Sequence, residues 1–213
     1  MYIRPLRNAE SPIIPADRLD QFLGDVFHNY IELHAHHRRL VDTLHEIQRE
    51  EHPRIRSITA AVYDAVLNFR ESYMEYIPNY PIAEYRIDEE VAQNSAFKMF
   101  IEVSVHVFWF SRCDFNTYLF QSAVRLPDAH RLDLKNFINR PIPRLLRYEL
   151  LLKQILAETP ITHDDRHAIP PVIELIKSLG KDTEPGVANA KQKVELWRFN
   201  EGLVFNPGEF VVS

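Results

Sequence analysis

Hydrophobic positions recur at helical spacing over most of the chain, and this pattern predicts an all-α protein. The predicted helices cover 17–53, 55–76, 82–102 with an interruption at 93–95, 172–179 and 191–199. Asp17 is the expected N-cap of the first helix, and Gly180 is expected to end the helix before it. The proline-rich stretch 1–15, the break at 78–81 and the segments 161–168, 182–190 and 203–212 should be irregular. The predicted architecture is an elongated bundle of about six helices.

The segment 134–160 organises this pattern, because it reads as a short lead-in followed by one long helix. Pro141 and Pro143 suit a helix start, and Pro160 should end the helix at the residue before it. Leucines fall on more than one face, which predicts a helix in the interior of the bundle. The helix also keeps a basic strip that indicates a binding surface, made of Arg140, Arg144, Arg147 and Lys153.

The stretch 103–121 does not fit the helical pattern, since it is rich in aromatic residues and has no helical period. One interpretation is an inserted loop or a short pair of strands. The other is translated intron sequence, because Val103-Ser104 can be encoded by the splice donor GTGAGT and Phe120-Gln121 by the acceptor TTTCAG. Excision would join Glu102 to Ser122 and leave an uninterrupted helix–turn–helix pattern.

Composition excludes several classes of protein. The 213 residues carry a net charge of −5, so there is no general basic footprint for nucleic acid or an anionic membrane. The single cysteine, Cys113, and the lack of an apolar run of membrane length predict a cytoplasmic protein without direct membrane insertion. With 5 glycines and no Gly-rich phosphate motif, a nucleotide-binding loop is not expected.

Two groups of histidines are candidate metal sites. His34, His36 and His37 share one helical turn near Glu32, and the segment 163–167 contains two histidines and two aspartates. In the first group only His34 and His37 have the i, i+3 spacing of two metal ligands, and no second cluster supplies the remaining ligands. The preferred interpretation is therefore histidines on the helix surface, with one of them packing inward. No metal or other cofactor is expected.

One motif carries a family resemblance. The segment 134–159 reads L-x-x-F-I-x-R-P-I-x-R-L-x-R-Y-x-L-L-L-K-x-I-L-x-x-T, which resembles the third signature block of the Dbl-homology (DH) domain of Rho guanine-nucleotide exchange factors. Supporting similarities occur at 2–7, 26–35, 73–80 and 94–100, and 197–209 resembles the connector into a pleckstrin-homology domain. The sequence is most similar in character to fungal Rho1-type factors of cell-wall integrity signalling. The resemblance implies a partial DH domain over 1–200, with an atypical insertion at 103–121. It also implies that 201–213 is the start of the connector into a pleckstrin-homology domain.

The resemblance implies exchange of bound nucleotide on a small GTPase, with no bond chemistry and therefore no enzyme in the strict sense. Such a factor binds the empty GTPase best and so promotes GDP release. By motif position, Arg140 would contact switch II and Lys177 would supply a contact from the next helix, with Asn136 and Glu149 near the same face. The partner would be a Rho1-like GTPase of the Rho family.

Departures from the family pattern qualify this expectation. Pro143 stands where the family has glutamine, and Glu149 replaces its usual proline. The acidic residue that the family uses against switch I would lie before Tyr2, so weak or no exchange activity is expected of these residues alone. The same loss would open an apolar groove and favour self-association. Without the pleckstrin-homology domain, recruitment to the cell cortex would depend on missing domains.

Three functional hypotheses follow from the sequence. The first is an exchange domain, the second a non-catalytic helical module that binds a GTPase or a scaffold, and the third a degraded gene product without a stable fold. A preference for the nucleotide-free over the GTP-loaded GTPase separates the first from the second.

Overall fold

The computed structural model describes residues 2–106 and 133–203, and every regular element in these two ranges is an α-helix. We number the helices in chain order: α1 Ile3–Asn8, α2 Ala16–Phe27, α3 Tyr30–Glu51, α4 Thr59–Gln93, α5 Ser95–His106, α6 Leu134–Asn139, α7 Pro141–Glu158 and α8 Asp165–Gly202. The longest are α4 with 35 residues and α8 with 38. At a rise of about 1.5 Å per residue both exceed 50 Å, so the bundle is elongated, as predicted.

Two hydrophobic cores lie along α4. The first joins α4 to α3, α7 and α8, and its fully buried members include Phe69, Tyr73, Leu145 and Ile176. The second joins α4 to α1, α2, α5 and α6, around residues such as Leu6, Val26, Phe97, Leu134 and Ile138. Because one helix contributes to both cores, it fixes α6 and α7 relative to the rest of the bundle.

The local signals around α6 and α7 are confirmed. The side chain of Asp133 accepts a hydrogen bond from the backbone N–H of Asn136 at 2.8 Å and so caps α6. Pro141 occupies the first helical position of α7, and the helix ends at Glu158, just before Thr159-Pro160. The predicted interruption at 93–95 is a helix boundary at Asn94.

The predicted single helix over 17–53 is wrong, because α2 ends at Phe27 and α3 begins at Tyr30. His28 has a positive φ of 47°, a conformation that ends a helix. Contacts with α4 hold this break: Asn29 Nδ2 donates to the carbonyl of Ser72 at 3.0 Å, and His28 Nε2 lies 3.1 Å from Glu75 Oε1. The helix follows Pro15, so Asp17 lies in its first turn and is not the N-cap.

The predicted break at 78–81 is also wrong, since α4 runs through Pro78 and Pro81. An interior proline costs about 3 kcal/mol or more. Burial of the large side chains Tyr73, Tyr76 and Ile77 just before the prolines offsets this cost, at about 1.5–3 kcal/mol each. Tertiary packing therefore overrides the local signal.

The break predicted at Gly180 and the loop predicted at 182–190 are wrong as well, because α8 is continuous over both. Asp165 begins α8 within the predicted loop 161–168. Close packing explains the glycine at position 186, because a Cβ on Gly186 would lie 2.7 Å from Pro78 Cγ. The two longest helices therefore touch at this point. Gly180 has open space around it and needs no such explanation.

Helices also cover part of the N-terminal segment and the start of the predicted insertion. Residues 3–8 form the short helix α1, although 1–15 was predicted to be irregular. Residues 103–106 belong to α5, and the rest of the predicted insertion at 103–121 lies outside the described residues. Within the described ranges, none of the helices is both long and apolar enough to cross a membrane.

Candidate functional site

The corner between α6 and α7 is held by two buried tyrosines of α4. Tyr76 donates its hydroxyl hydrogen to the carbonyl oxygen of Ile138 at 2.7 Å, and Tyr73 donates to that of Pro141 at 3.1 Å. Arg140 lies between these carbonyls, with its guanidinium carbon 5.2 Å from the centre of the Phe137 ring. The backbone that presents Arg140 is therefore fixed on both sides, while the side chain stays exposed.

Hydrogen bonds continue from this corner through His37 on α3. His37 Nε2 lies 2.9 Å from the Tyr73 hydroxyl, and His37 Nδ1 lies 2.8 Å from that of Tyr148 on α7. The Tyr73 hydrogen goes to Pro141, so its oxygen accepts from Nε2–H and Nδ1 must accept from Tyr148. Arg144 Nε completes the chain by donating to the Tyr148 oxygen at 3.3 Å.

This polar chain keeps His37 neutral. Burial, and after it the positive charge of Arg144 and of the neighbouring His36 and His34, lowers the pKa of His37 to about 4. Burial also raises the pKa of Tyr73 above its ordinary value. A neutral imidazole with one donor and one acceptor is the form that the two tyrosine hydroxyls require. The prediction that one of the three histidines packs inward is confirmed at His37.

An open groove borders the corner, with a volume of about 1050 Å³. Apolar side chains form much of its wall, among them Phe27, Tyr30, Leu33, Tyr76, Phe137 and Ile138. Five arginines also line it: Arg4, Arg7, Arg140, Arg144 and Arg147. None of the described residues in its wall is acidic, so the groove is both apolar and strongly positive.

A second feature, which we call the charged patch, is made of Glu149 and Lys153 on α7 with Glu174 and Lys177 on α8. Lys153 Nζ lies 2.6 Å from Glu149 Oε1, and Lys177 Nζ lies 2.7 Å from Glu174 Oε1. The hydrogen bond that Lys177 donates to Glu174 raises the pKa of Lys177, and the charge of Glu149 acts across the helix pair in the same direction. The patch therefore couples α7 to α8 electrostatically.

The leucine run of α7 corrects the prediction that this helix is buried on more than one face. Leu145, Tyr148 and Leu152 are buried, but Leu146 and Leu150 are 52% and 62% exposed. The helix lies at the side of the bundle, so only one of its faces meets α3, α4 and α8. An exposed pair of leucines one turn apart, beside the charged patch, is typical of a surface that a partner covers.

The structure separates the four predicted site residues. Glu149 and Lys177 come together in the charged patch, whereas Arg140 lies at the corner and faces the groove. Asn136 is exposed in the first turn of α6. The predicted basic strip is divided in the same way, because Arg144 and Arg147 line the groove with Arg140 while Lys153 pairs with Glu149.

Sequence reasoning missed the supporting residues of this site. The sequence pattern does not mark Tyr73 and Tyr76 as supports of the corner, because their hydrogen bonds to the corner carbonyls depend on a fold that spacing does not reveal. The exposed Leu146 and Leu150 carried a signal, since they lie on the opposite helical face to Leu145 and Leu152.

Comparison with known proteins gives consistent results. The chain is 27% identical over 208 residues to Rho1 guanine nucleotide exchange factor 2 of Schizosaccharomyces pombe, which covers 98% of this chain and 16% of that protein. It is also 27% identical over 208 residues to Rho1 guanine nucleotide exchange factor 1 of the same yeast, covering 98% of this chain and 14% of the relative. The chain thus spans less than a fifth of the length of either relative.

Solved structures share the fold. The DH/PH domain of human ARHGEF11, in a ternary complex with human RhoA and its inhibitor, superposes with a TM-score of 0.69 at 18% identity. The match covers 93% of this chain and 52% of the other.

The profile of the RhoGEF domain matches residues 1–184, which is most of the chain. Together with the all-α bundle and the α6–α7 corner described above, this match identifies the chain as a member of the RhoGEF domain family.

Proposed function

We propose that this chain is a guanine-nucleotide exchange module for a small GTPase of the Rho family. Its relatives are named as Rho1 exchange factors, and the structures that share its fold are described as complexes with RhoA. Exchange of this kind makes and breaks no covalent bond. The protein acts by binding one state of its partner more tightly than another.

The observation that carries the proposal is the exposed surface of α7 and α8. Leu146 and Leu150 offer apolar area, and the charged patch beside them offers fixed charges of both signs. Such a combination suits a protein partner rather than a small molecule. Apolar contact supplies the affinity, and the charges fix how the two proteins are oriented on each other. The surface lies on long, packed helices and so needs little ordering on binding.

Arg140 adds a contact at the edge of this surface. The hydroxyls of Tyr73 and Tyr76 hold the backbone on either side of it, so the guanidinium is presented from a rigid corner. A rigidly placed arginine can pair with a carboxylate or a carbonyl of a GTPase switch region. We assign Arg140, Glu149 and Lys177 to the GTPase-binding surface, with Asn136 at its margin.

The exchange mechanism follows from thermodynamic linkage. If the surface binds the nucleotide-free GTPase better than the nucleotide-bound form, then bound exchange factor must weaken nucleotide binding by the same factor. Release of GDP is thereby favoured in the complex, and no cofactor takes part in the step. Within the Rho family we propose a Rho1-like partner, on the basis of the yeast relatives, and recruitment to the cell cortex through other parts of a longer protein.

The test is release of fluorescent GDP from a Rho1-type GTPase. Arg140→Ala and Lys177→Ala should each lower the exchange efficiency about tenfold, since each removes one charged contact worth about 1.4 kcal/mol. Matched controls are Arg49→Ala on α3 and Lys191→Ala on α8, both exposed and outside the set of residues assigned to the surface. Equal loss in variants and controls would count against the assigned surface.

A non-catalytic GTPase-binding module is the second candidate, because the same exposed surface could hold a GTPase without distinguishing its nucleotide states. That function predicts binding without accelerated release. Measuring affinity and release on the same protein preparation separates the two functions.

A further inference from the structure

The connection between α3 and α4 carries a feature that the exchange function does not use. Residues 54–58 form no helix, and the four residues from Arg54 to Ser57 are all exposed. Ile55 is 46% exposed, and the side chain of Arg56 is 84% exposed. The segment therefore presents its side chains to solvent, as a peptide must to enter the active site of another enzyme, while Glu51 accepts a hydrogen bond from the backbone N–H of Arg56.

Two hydroxyl residues in this region have an arginine three positions earlier. Ser57 follows Arg54 in Arg-Ile-Arg-Ser-Ile, and Thr59 follows Arg56. Only Ser57 is accessible, because Thr59 is 6% exposed and lies within α4. Ser57 also has a second arginine directly before it and an isoleucine directly after it.

The Ser57 hydroxyl makes a specific contact with the start of α8. Its Oγ donates to Asp165 Oδ1 at 2.6 Å, and the Thr59 hydroxyl donates to the same oxygen at 2.9 Å. Asp165 is 7% exposed, so these two hydroxyls are important for keeping its charge in the interior. The contact joins the first turns of the two longest helices.

We propose that Ser57 is a phosphorylation site for a serine/threonine kinase whose substrate groove is acidic. The kinase would transfer the γ-phosphoryl group of ATP to Ser57 Oγ. A P–Oγ ester bond forms, the bond between the β- and γ-phosphates of ATP breaks, the hydroxyl proton passes to the base of the kinase, and ADP leaves. Arg54 supplies the positive charge that the acidic groove recognises, and Ile58 the apolar residue that follows the acceptor.

Phosphorylation would act as a switch on the α4–α8 junction. The ester has no hydrogen to donate to Asp165, and it places a phosphate of about −1.5 to −2 charge next to that carboxylate. A helix N-terminus attracts anions, but it carries only about half a unit charge. Repulsion between two full charges at contact distance exceeds that attraction, so the start of α8 should separate from that of α4.

The first experiment treats the whole chain with ATP and the catalytic domain of cyclic-AMP-dependent kinase or, in parallel, of protein kinase C. Mass spectrometry should locate the phosphate on Ser57. Arg54→Ala should reduce the initial rate about tenfold, because one charged contact with the kinase is lost. The matched control Arg49→Ala should leave the rate unchanged. Absence of phosphate from Ser57 with both kinases, or equal rates for Arg54→Ala and Arg49→Ala, overturns the site.

The second experiment compares thermal unfolding of the phosphorylated chain, the unmodified chain and Ser57→Ala. Loss of the hydrogen bond alone lowers the midpoint in Ser57→Ala. Charge repulsion should lower the midpoint of the phosphorylated chain further, to about 2–6 °C below the unmodified chain. A phosphorylated midpoint equal to or above that of Ser57→Ala overturns the switch.

Discussion

At the residue scale, His37 is the centre of the polar chain that supports the candidate site. The chain starts at Arg144 on α7, passes through Tyr148, His37 and Tyr73, and returns to the carbonyl of Pro141 on the same helix. The Tyr73 hydroxyl donates to the carbonyl of Pro141, so it can only accept from His37. The imidazole must therefore carry its hydrogen on Nε2, and its Nδ1 accepts from Tyr148. This arrangement ties the first turns of α7 to α3 and α4.

The lowered pKa of His37 predicts a loss of stability in mild acid. The unfolded chain binds a proton on His37 below about pH 6.5, whereas the folded protein resists protonation until about pH 4. The stabilisation is fully present above pH 6.5 and is lost as the pH falls towards 4. Because the side chain is partly solvated, we expect its contribution to be about 2 kcal/mol. Urea unfolding across this range measures it.

The control for this prediction uses glutamine at two positions of α3. His37→Gln removes the titrating group and should flatten the change in unfolding free energy between pH 6.5 and 4. His45→Gln replaces an exposed histidine of the same helix and should keep the wild-type slope. If His37→Gln retains the full wild-type slope, the proposed cause is wrong.

At the element scale, α4 and α8 form the frame on which α7 is mounted. Ion pairs and stacking add to their apolar contact: Arg70 pairs with Asp182, and the Arg86 guanidinium carbon lies 4.8 Å from the Trp197 ring centre. At their closest point the ring of Pro78 faces Gly186. A small residue opposite a proline lets two helices approach without displacing either backbone.

A pair of alanine substitutions in α8 tests this contact. Gly186→Ala should destabilise the protein by about 1–2 kcal/mol, since overpacking against a stiff proline ring outweighs the gain in helix propensity. Gly180→Ala meets open space and should stabilise the protein by about 0.5–1 kcal/mol. Chemical denaturation gives both values. Equal effects of the two substitutions would show that the Pro78 contact is unimportant.

The elements that the sequence could predict are those with local causes. The start of α7 at Pro141 and its end before Pro160 follow from backbone restrictions of single residues. The continuity of α4 through Pro78 depends on long-range packing, which spacing along one helix does not contain. For the same reason the sequence could name Arg140 by its motif but not the tyrosines that hold its corner.

At the scale of the whole molecule, the groove beside the α6–α7 corner is an open feature of the described surface, with a volume of about 1050 Å³. It combines apolar walls with five arginines, and one of them, Arg140, also belongs to the proposed GTPase-binding surface. Exposed apolar area of this size favours association. The sequence predicts self-association through an apolar groove, and this groove is the candidate for it.

Self-association should therefore depend on concentration and on the groove. Sedimentation velocity is expected to show a rising mass as the protein concentration increases, because the apolar walls leave water on association. Tyr30→Glu in the groove should keep the protein monomeric, whereas Tyr63→Glu, at a similarly exposed tyrosine of α4, should not. A monomer at all concentrations would refute self-association.

Our main proposal is that the surface of α7 and α8 distinguishes nucleotide states of a Rho GTPase. Its most direct test is the affinity of this chain for a Rho1-type GTPase, measured by titration calorimetry with the GTPase either nucleotide-free or loaded with a non-hydrolysable GTP analogue. We expect tighter binding to the nucleotide-free form by about 5–150-fold, which corresponds to typical coupling free energies. Equal affinities, or tighter binding to the loaded form, would contradict it.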